Sequence, residues 1–143
     1  MDAERSKPRI LIVEDEPIVG LEISDSLEGM GYAVCPVVSS GDKVLEAALR
    51  EDPDLILMDI KLKSFTDGID ACVRVKMVKD IPVIYMTAFS DIGMRERAER
   101  TDPAAYLLKP IENDVLKREI DAALGVHPRQ ASNPAGDPHP YGR

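Results

Sequence analysis

Two apolar runs in this chain stop abruptly at carboxylates. Ile10-Leu11-Ile12-Val13 ends at Glu14-Asp15-Glu16, and Leu55-Ile56-Leu57-Met58 ends at Asp59. Continuous runs of this length, without alternation, fit strands buried on both faces of a sheet. Ile81-Pro82-Val83-Ile84-Tyr85-Met86 is a third such run and ends at Thr87; Ala105-Tyr106-Leu107-Leu108 is a fourth and ends at Lys109-Pro110. Tyr32 to Val38 reads as a shorter strand, placed at a sheet edge because Pro36 cannot donate to a ladder.

Between the runs the pattern changes to helical spacing. Pro17 suits a first helical turn, Ile18, Leu21, Ile23 and Leu27 give that helix an apolar side, and Gly29 and Gly31 end it. Ser39 to Asp42 offers caps for a second helix carrying Val44, Leu45, Ala48 and Leu49. Asp67-Gly68 starts a third, with Ile69, Val73 and Met77 on one face. A fourth, from about Asp91 to Arg100, has few apolar residues and is expected to pack loosely. The last carries Val115, Leu116, Ile120 and Leu124 inward and stops at Gly125.

Five strands alternating with five helices predict an α/β fold with a mostly parallel sheet covered on both faces. Right-handed crossovers make it a doubly wound, five-stranded (βα)5 three-layer sandwich. One domain is expected over residues 1–126. The Pro-rich remainder, 127–143, has too little apolar surface to offset ordering entropy and is expected to be a disordered tail.

Composition narrows the function classes. The chain has 143 residues, 44% hydrophobic and 31% charged, with a formal net charge of -8 and a pI near 4.8. That balance argues against non-specific nucleic-acid binding and against an anionic membrane surface. No apolar run approaches a membrane span, and the first residues lack the apolar core of a signal peptide, so the expected location is cytoplasmic. Cys35 and Cys72 form no CxxC and are expected to be reduced and packed. His127 and His139 are too isolated to form a metal site.

In a parallel sheet the carboxyl ends of all strands share one edge, where ligands bind in such folds. Topology then gathers Glu14, Asp15, Asp59, Thr87 and Lys109. Singly, each has a plain structural role: Asp15 or Glu16 as a helix cap, Thr87 as a strand end, Lys109 as a solvated cation. Together, three carboxylates in one place call for a proton, an ammonium or a hard cation such as Mg²⁺. Lys109, Thr87 and Mg²⁺ would stabilise charge on a phosphoryl group attached to Asp59.

The motifs ILIVEDEP, LILMDIKL followed by DGI, VIYMTA and YLLKP, running over Arg9 to Gly125, resemble the receiver domain of two-component response regulators. The resemblance implies the flavodoxin-like strand order 2-1-3-4-5. It implies that Asp59 is the phosphoacceptor for a histidine kinase's phosphohistidine. Asp15 would ligate Mg²⁺ directly, Glu14 through water, and the Lys61 backbone carbonyl would complete the protein's share of the shell. Thr87 and Lys109 would contact phosphoryl oxygens, and Lys109-Pro110 would be cis. Glu14 departs from the commoner pair of aspartates but keeps the charge.

The same resemblance assigns Thr87 and Tyr106 to a switch that reshapes the face made by the fourth helix, fifth strand and fifth helix. It places Lys61 and Phe89 beside the phosphoryl group, where a long cation and a large ring would slow hydrolysis. A chain with no room for an output domain after Gly125 implies a stand-alone regulator. It would be no enzyme beyond its own phosphorylation and dephosphorylation, and would control an unknown protein target. The alternative is a phosphorelay intermediate that passes phosphate to a histidine phosphotransfer protein. A hydrolase on a related fold is disfavoured, because such enzymes place an acid where this chain has Lys61. Homodimerisation through the switch face is a candidate assembly, with Arg95, Arg97, Glu112, Asp114 and Lys117 available for cross-subunit pairs.

Overall fold

The computed structural model describes residues 7–88 and 91–125, so the expectations for the tail 127–143, for His127 and His139, and for Phe89 fall outside the described residues. The elements follow in strict alternation: β1 (Arg9–Val13), α1 (Pro17–Gly29), β2 (Ala33–Val34), a 3-10 turn (Gly41–Lys43) running into α2 (Val44–Glu51), β3 (Leu55–Asp59), α3 (Gly68–Lys76), β4 (Val83–Thr87), α4 (Ile92–Glu99), β5 (Ala105–Leu108) and α5 (Asn113–Leu124). The strands form one sheet in the order β2-β1-β3-β4-β5, and every pairing is parallel. This is the doubly wound sandwich that the alternation implied, with the flavodoxin-like strand order that the resemblance implied.

Side-chain alternation along the strands divides the core into two layers. Leu11, Val13, Ile56, Met58, Val83 and Tyr85 face α2, α3 and α4. Ile10, Ile12, Leu55, Leu57, Ile84 and Met86 face α1 and α5. Both β3 and β4 are buried along their whole length, which is why their sequences are apolar without a break.

Four expectations are corrected. β2 is only Ala33–Val34, joined further along by a single bridge between Val13 and Val38; Pro36 interrupts the ladder between them. In α1 the buried positions are Gly20 and Leu27, while Ile18 and Leu21 are exposed. In α3 the inward face is Ile69, Ala71, Cys72 and Val75, and Val73 and Met77 face solvent. Both helices contain more apolar residues than one face can hold, so periodicity did not identify the inward set. Leu49 of α2 is likewise exposed. The weak anchoring of α4 is observed: Ala98 is its only buried residue. Cys35 and Cys72 are free and buried.

Candidate phosphoacceptor site

The carboxyl edge of the sheet assembles its polar groups through backbone hydrogen bonds. Glu14 N–H donates to Val38 O (2.9 Å), holding the first residue after β1 in the sheet. Ile60 N–H donates to Met86 O (3.1 Å), and Lys109 N–H donates to Thr87 O (2.8 Å). Asp59 and Thr87 thus end the adjacent strands β3 and β4, and Lys109 directly follows β5 beside them. Gly68 is needed behind them, because a Cβ there would lie 2.2 Å from the Asp59 carbonyl oxygen.

Lys109 is the cation at the centre. Its Nζ lies 2.8 Å from Glu14 Oε1 and 3.4 Å from Asp59 Oδ2. Both carboxylates are buried, Glu14 at 2% and Asp59 at 5% exposure. Burial first, and then the neighbouring Glu14 carboxylate, push the Asp59 pKa up to about 7, with Lys109 pulling the other way. Burial works against the Lys109 ammonium, but the hydrogen bond to Glu14 and the charges of Asp59 and Glu14 outweigh it and raise its pKa.

Glu14, Asp15 and Asp59 each offer a carboxylate oxygen, and these lie within 4.8 Å of one another. Three carboxylates against one ammonium leave an uncompensated negative charge in a partly buried place. An all-oxygen donor set with excess charge suits a hard divalent cation such as Mg²⁺. A cavity of about 270 Å³ opens here, lined by Glu14, Asp15, Glu16, Asp59, Lys61, Lys63 and Lys109 among others. Asp15 does not cap α1; its Oδ2 accepts the Lys63 backbone N–H (2.8 Å). Glu16 is the N-cap residue of α1 but makes no side-chain cap bond.

The described strand-end residues named from sequence therefore converge on one edge. Lys61 lines the cavity. The Lys109-Pro110 bond is cis. Thr87 is fully buried, with Oγ1 4.0 Å from the Met94 sulfur. Tyr106 is half-buried and pairs in register with Tyr85; the two rings meet edge-on at 6.4 Å.

Sequence reasoning missed three partners. Lys63 holds Asp15 through its backbone, which no side-chain pattern encodes. Arg95 lies over the Tyr106 ring (4.5 Å) and pairs with Glu99. Tyr85 shares a 2.8 Å hydrogen bond with Thr101. Of the charges offered for cross-subunit pairing, Arg97 pairs within the chain with Asp67 and Asp70, and Lys117 with Asp121.

The sequence pattern of the response regulator receiver domain matches residues 10–121. The chain belongs to this family. It is 34% identical over 124 residues to the transcriptional regulatory protein PdtaR of Mycobacterium tuberculosis, a match covering 86% of this chain and 60% of the relative's length. Among solved structures it resembles the receiver domain of a modulated diguanylate cyclase from Desulfovibrio desulfuricans (34% identity, TM-score 0.79, covering 83% and 94% of the two chains). It also resembles the receiver domain of a sensor histidine kinase from Pseudomonas aeruginosa (31% identity, TM-score 0.75, 83% and 98% covered), which holds a magnesium ion in its active-site cleft. No helix among the described residues is long and apolar enough to cross a membrane.

Proposed function

We propose that this receiver domain is a phosphorylation-activated switch in which Asp59 takes a phosphoryl group from the phosphohistidine of a histidine kinase. The observation that carries the proposal is the buried Asp59–Lys109–Glu14 arrangement with Asp15 beside it. An Asp59 oxygen attacks phosphorus as the P–N bond breaks. The electron pair goes to the imidazole nitrogen, which takes a proton from solvent, and an acyl phosphate remains on the protein.

Glu14, Asp15, Asp59 and the Lys61 backbone carbonyl are the groups proposed to hold Mg²⁺. The ion would supply positive charge to the transferring oxygens. Lys109 holds its ammonium against the attacking carboxylate, and the rigid strands keep that carboxylate in place. Thr87 is proposed as the hydroxyl that follows the new phosphoryl group. Its movement would draw it from Met94, and the thinly anchored α4 and the Tyr106 ring would rearrange in response. The resulting surface of α4, β5 and α5 is the proposed contact for a protein target. No catalysis beyond the domain's own phosphorylation and dephosphorylation is proposed.

Incubation with a small phosphodonor and Mg²⁺, followed by intact-mass measurement, tests this reading. The wild type should gain one phosphoryl group and Asp59→Asn none; no gain on the wild type sinks it. Transfer of the label onward to a histidine phosphotransfer protein would identify a relay instead of a terminal switch.

A further inference from the structure

Phe65 is 96% exposed, the most exposed large apolar side chain among the described residues. Looseness of its loop does not explain this, because the residues around it are tied down. Lys63 N–H donates to Asp15 Oδ2 (2.8 Å). Ser64 Oγ accepts the Gly41 N–H and donates to Thr66 O, both at 2.8 Å. Buried Thr66 donates its hydroxyl to Asp42. Leu62 is packed into the core. Gly41 allows the approach, since a Cβ there would lie 2.1 Å from Thr66 O. The fold thus fixes both sides of the loop and leaves one aromatic ring in water.

Shielding such a ring from water is favourable. A ring on a fixed loop loses little conformational freedom on binding, and pre-organised aromatic anchors dominate interface energetics. The place of the loop selects the partner. Lys61 and Lys63 line the cavity containing Asp59, and Phe65 lies two residues beyond. A macromolecule that delivers phosphate to Asp59 must close over this rim; a small phosphodonor need not.

We infer that Phe65 is an apolar anchor for the protein that donates the phosphoryl group, seated on an apolar surface beside the donor's phosphohistidine. The inference rests on the phosphoacceptor role of Asp59 and adds a docking contact separate from the chemistry. Lys61 and Lys63 complement it with positive charge toward the donor's phosphoryl oxygens.

The experiment compares two donors on the full chain: acetyl phosphate, and an isolated histidine phosphotransfer domain charged with phosphoramidate. Phe65→Ala should lower the transfer efficiency from the protein donor by roughly tenfold, leave labelling by acetyl phosphate within about twofold, and leave the melting temperature unchanged. Thr66→Val, which unties the loop from Asp42, should weaken protein transfer with less effect on the small donor. Equal transfer from the protein donor to wild type and Phe65→Ala overturns the inference. So does an equal loss with both donors, which would place Phe65 in the chemistry. So does absence of protein transfer to a wild type that acetyl phosphate labels. Titrating Asp59→Asn with the uncharged donor domain keeps the two readings apart: weaker binding on adding Phe65→Ala supports the anchor even if Asp59 were never phosphorylated, and unchanged binding refutes it.

Discussion

Replacing Asp59 by asparagine should stabilise the metal-free protein, by an amount that grows as pH rises from about 4 to 7 and is then constant. The carboxylate is nearly inaccessible and faces the Glu14 carboxylate across Lys109. Burial and that neighbour raise its pKa from 3.8 to about 7. The folded state therefore holds its proton over a pH range in which the unfolded chain has released it. Stability contributed by the protonated form is fully present below pH 3.8 and is lost as pH rises through 7. At about 1.4 kcal/mol per pH unit of displacement, the charged form costs roughly 4 kcal/mol at pH 8. Local relaxation and water entry reduce this, so the expected gain for Asp59→Asn at pH 8 is about 2–3 kcal/mol. At pH 5, where Asp59 is mostly protonated, the gain should fall below about 1 kcal/mol. Urea unfolding of both proteins in a chelating buffer at pH 5, 6.5 and 8 measures this. Adding Mg²⁺ at pH 8 should narrow the gap, because a bound cation stabilises the native wild type by mass action. A pH-independent difference, or a variant less stable than wild type at pH 8, would refute the account of Asp59 as a strained buried charge.

Lys109→Met should destabilise the fold by about 2–4 kcal/mol at pH 8, because two buried carboxylates lose their cation; the loss should shrink at pH 5, as read by urea unfolding. Gly68→Ala forces a Cβ to 2.2 Å from the Asp59 carbonyl oxygen, so a loss of about 2 kcal/mol or more is expected in thermal melts, with slower labelling of Asp59. Tyr85→Phe removes the 2.8 Å hydrogen bond to Thr101. It should cost about 1 kcal/mol and raise amide exchange selectively at the C-terminal end of α4, measured by hydrogen–deuterium exchange.

The strands and their order of appearance were legible in the chain itself. Runs such as Leu55–Met58 are apolar because both sheet faces are covered, and that signature survives without any knowledge of neighbours. The site residues were legible for the same reason: a parallel sheet sends every strand's carboxyl end to one edge, so Asp59, Thr87 and Lys109 could be grouped by position alone. Helix faces were less legible. Ile18, Leu21, Val73 and Met77 have the spacing of core residues but lie outside, because the axial rotation of a helix is set by what it packs against.

Tertiary structure alone decided the pairings. Nothing in the local sequence says that Lys109 lies closer to Glu14 than to Asp59, that Lys63 holds Asp15 with a backbone N–H, or that Arg95 covers Tyr106. Those contacts join residues from different βα units, and their distances follow from how the layers seat on the sheet. The sequence by itself determined which chemical groups reach the edge, since strand length and alternation are local properties. Their separations, burial and protonation were decided by packing, since desolvation and charge coupling act through space and not along the chain.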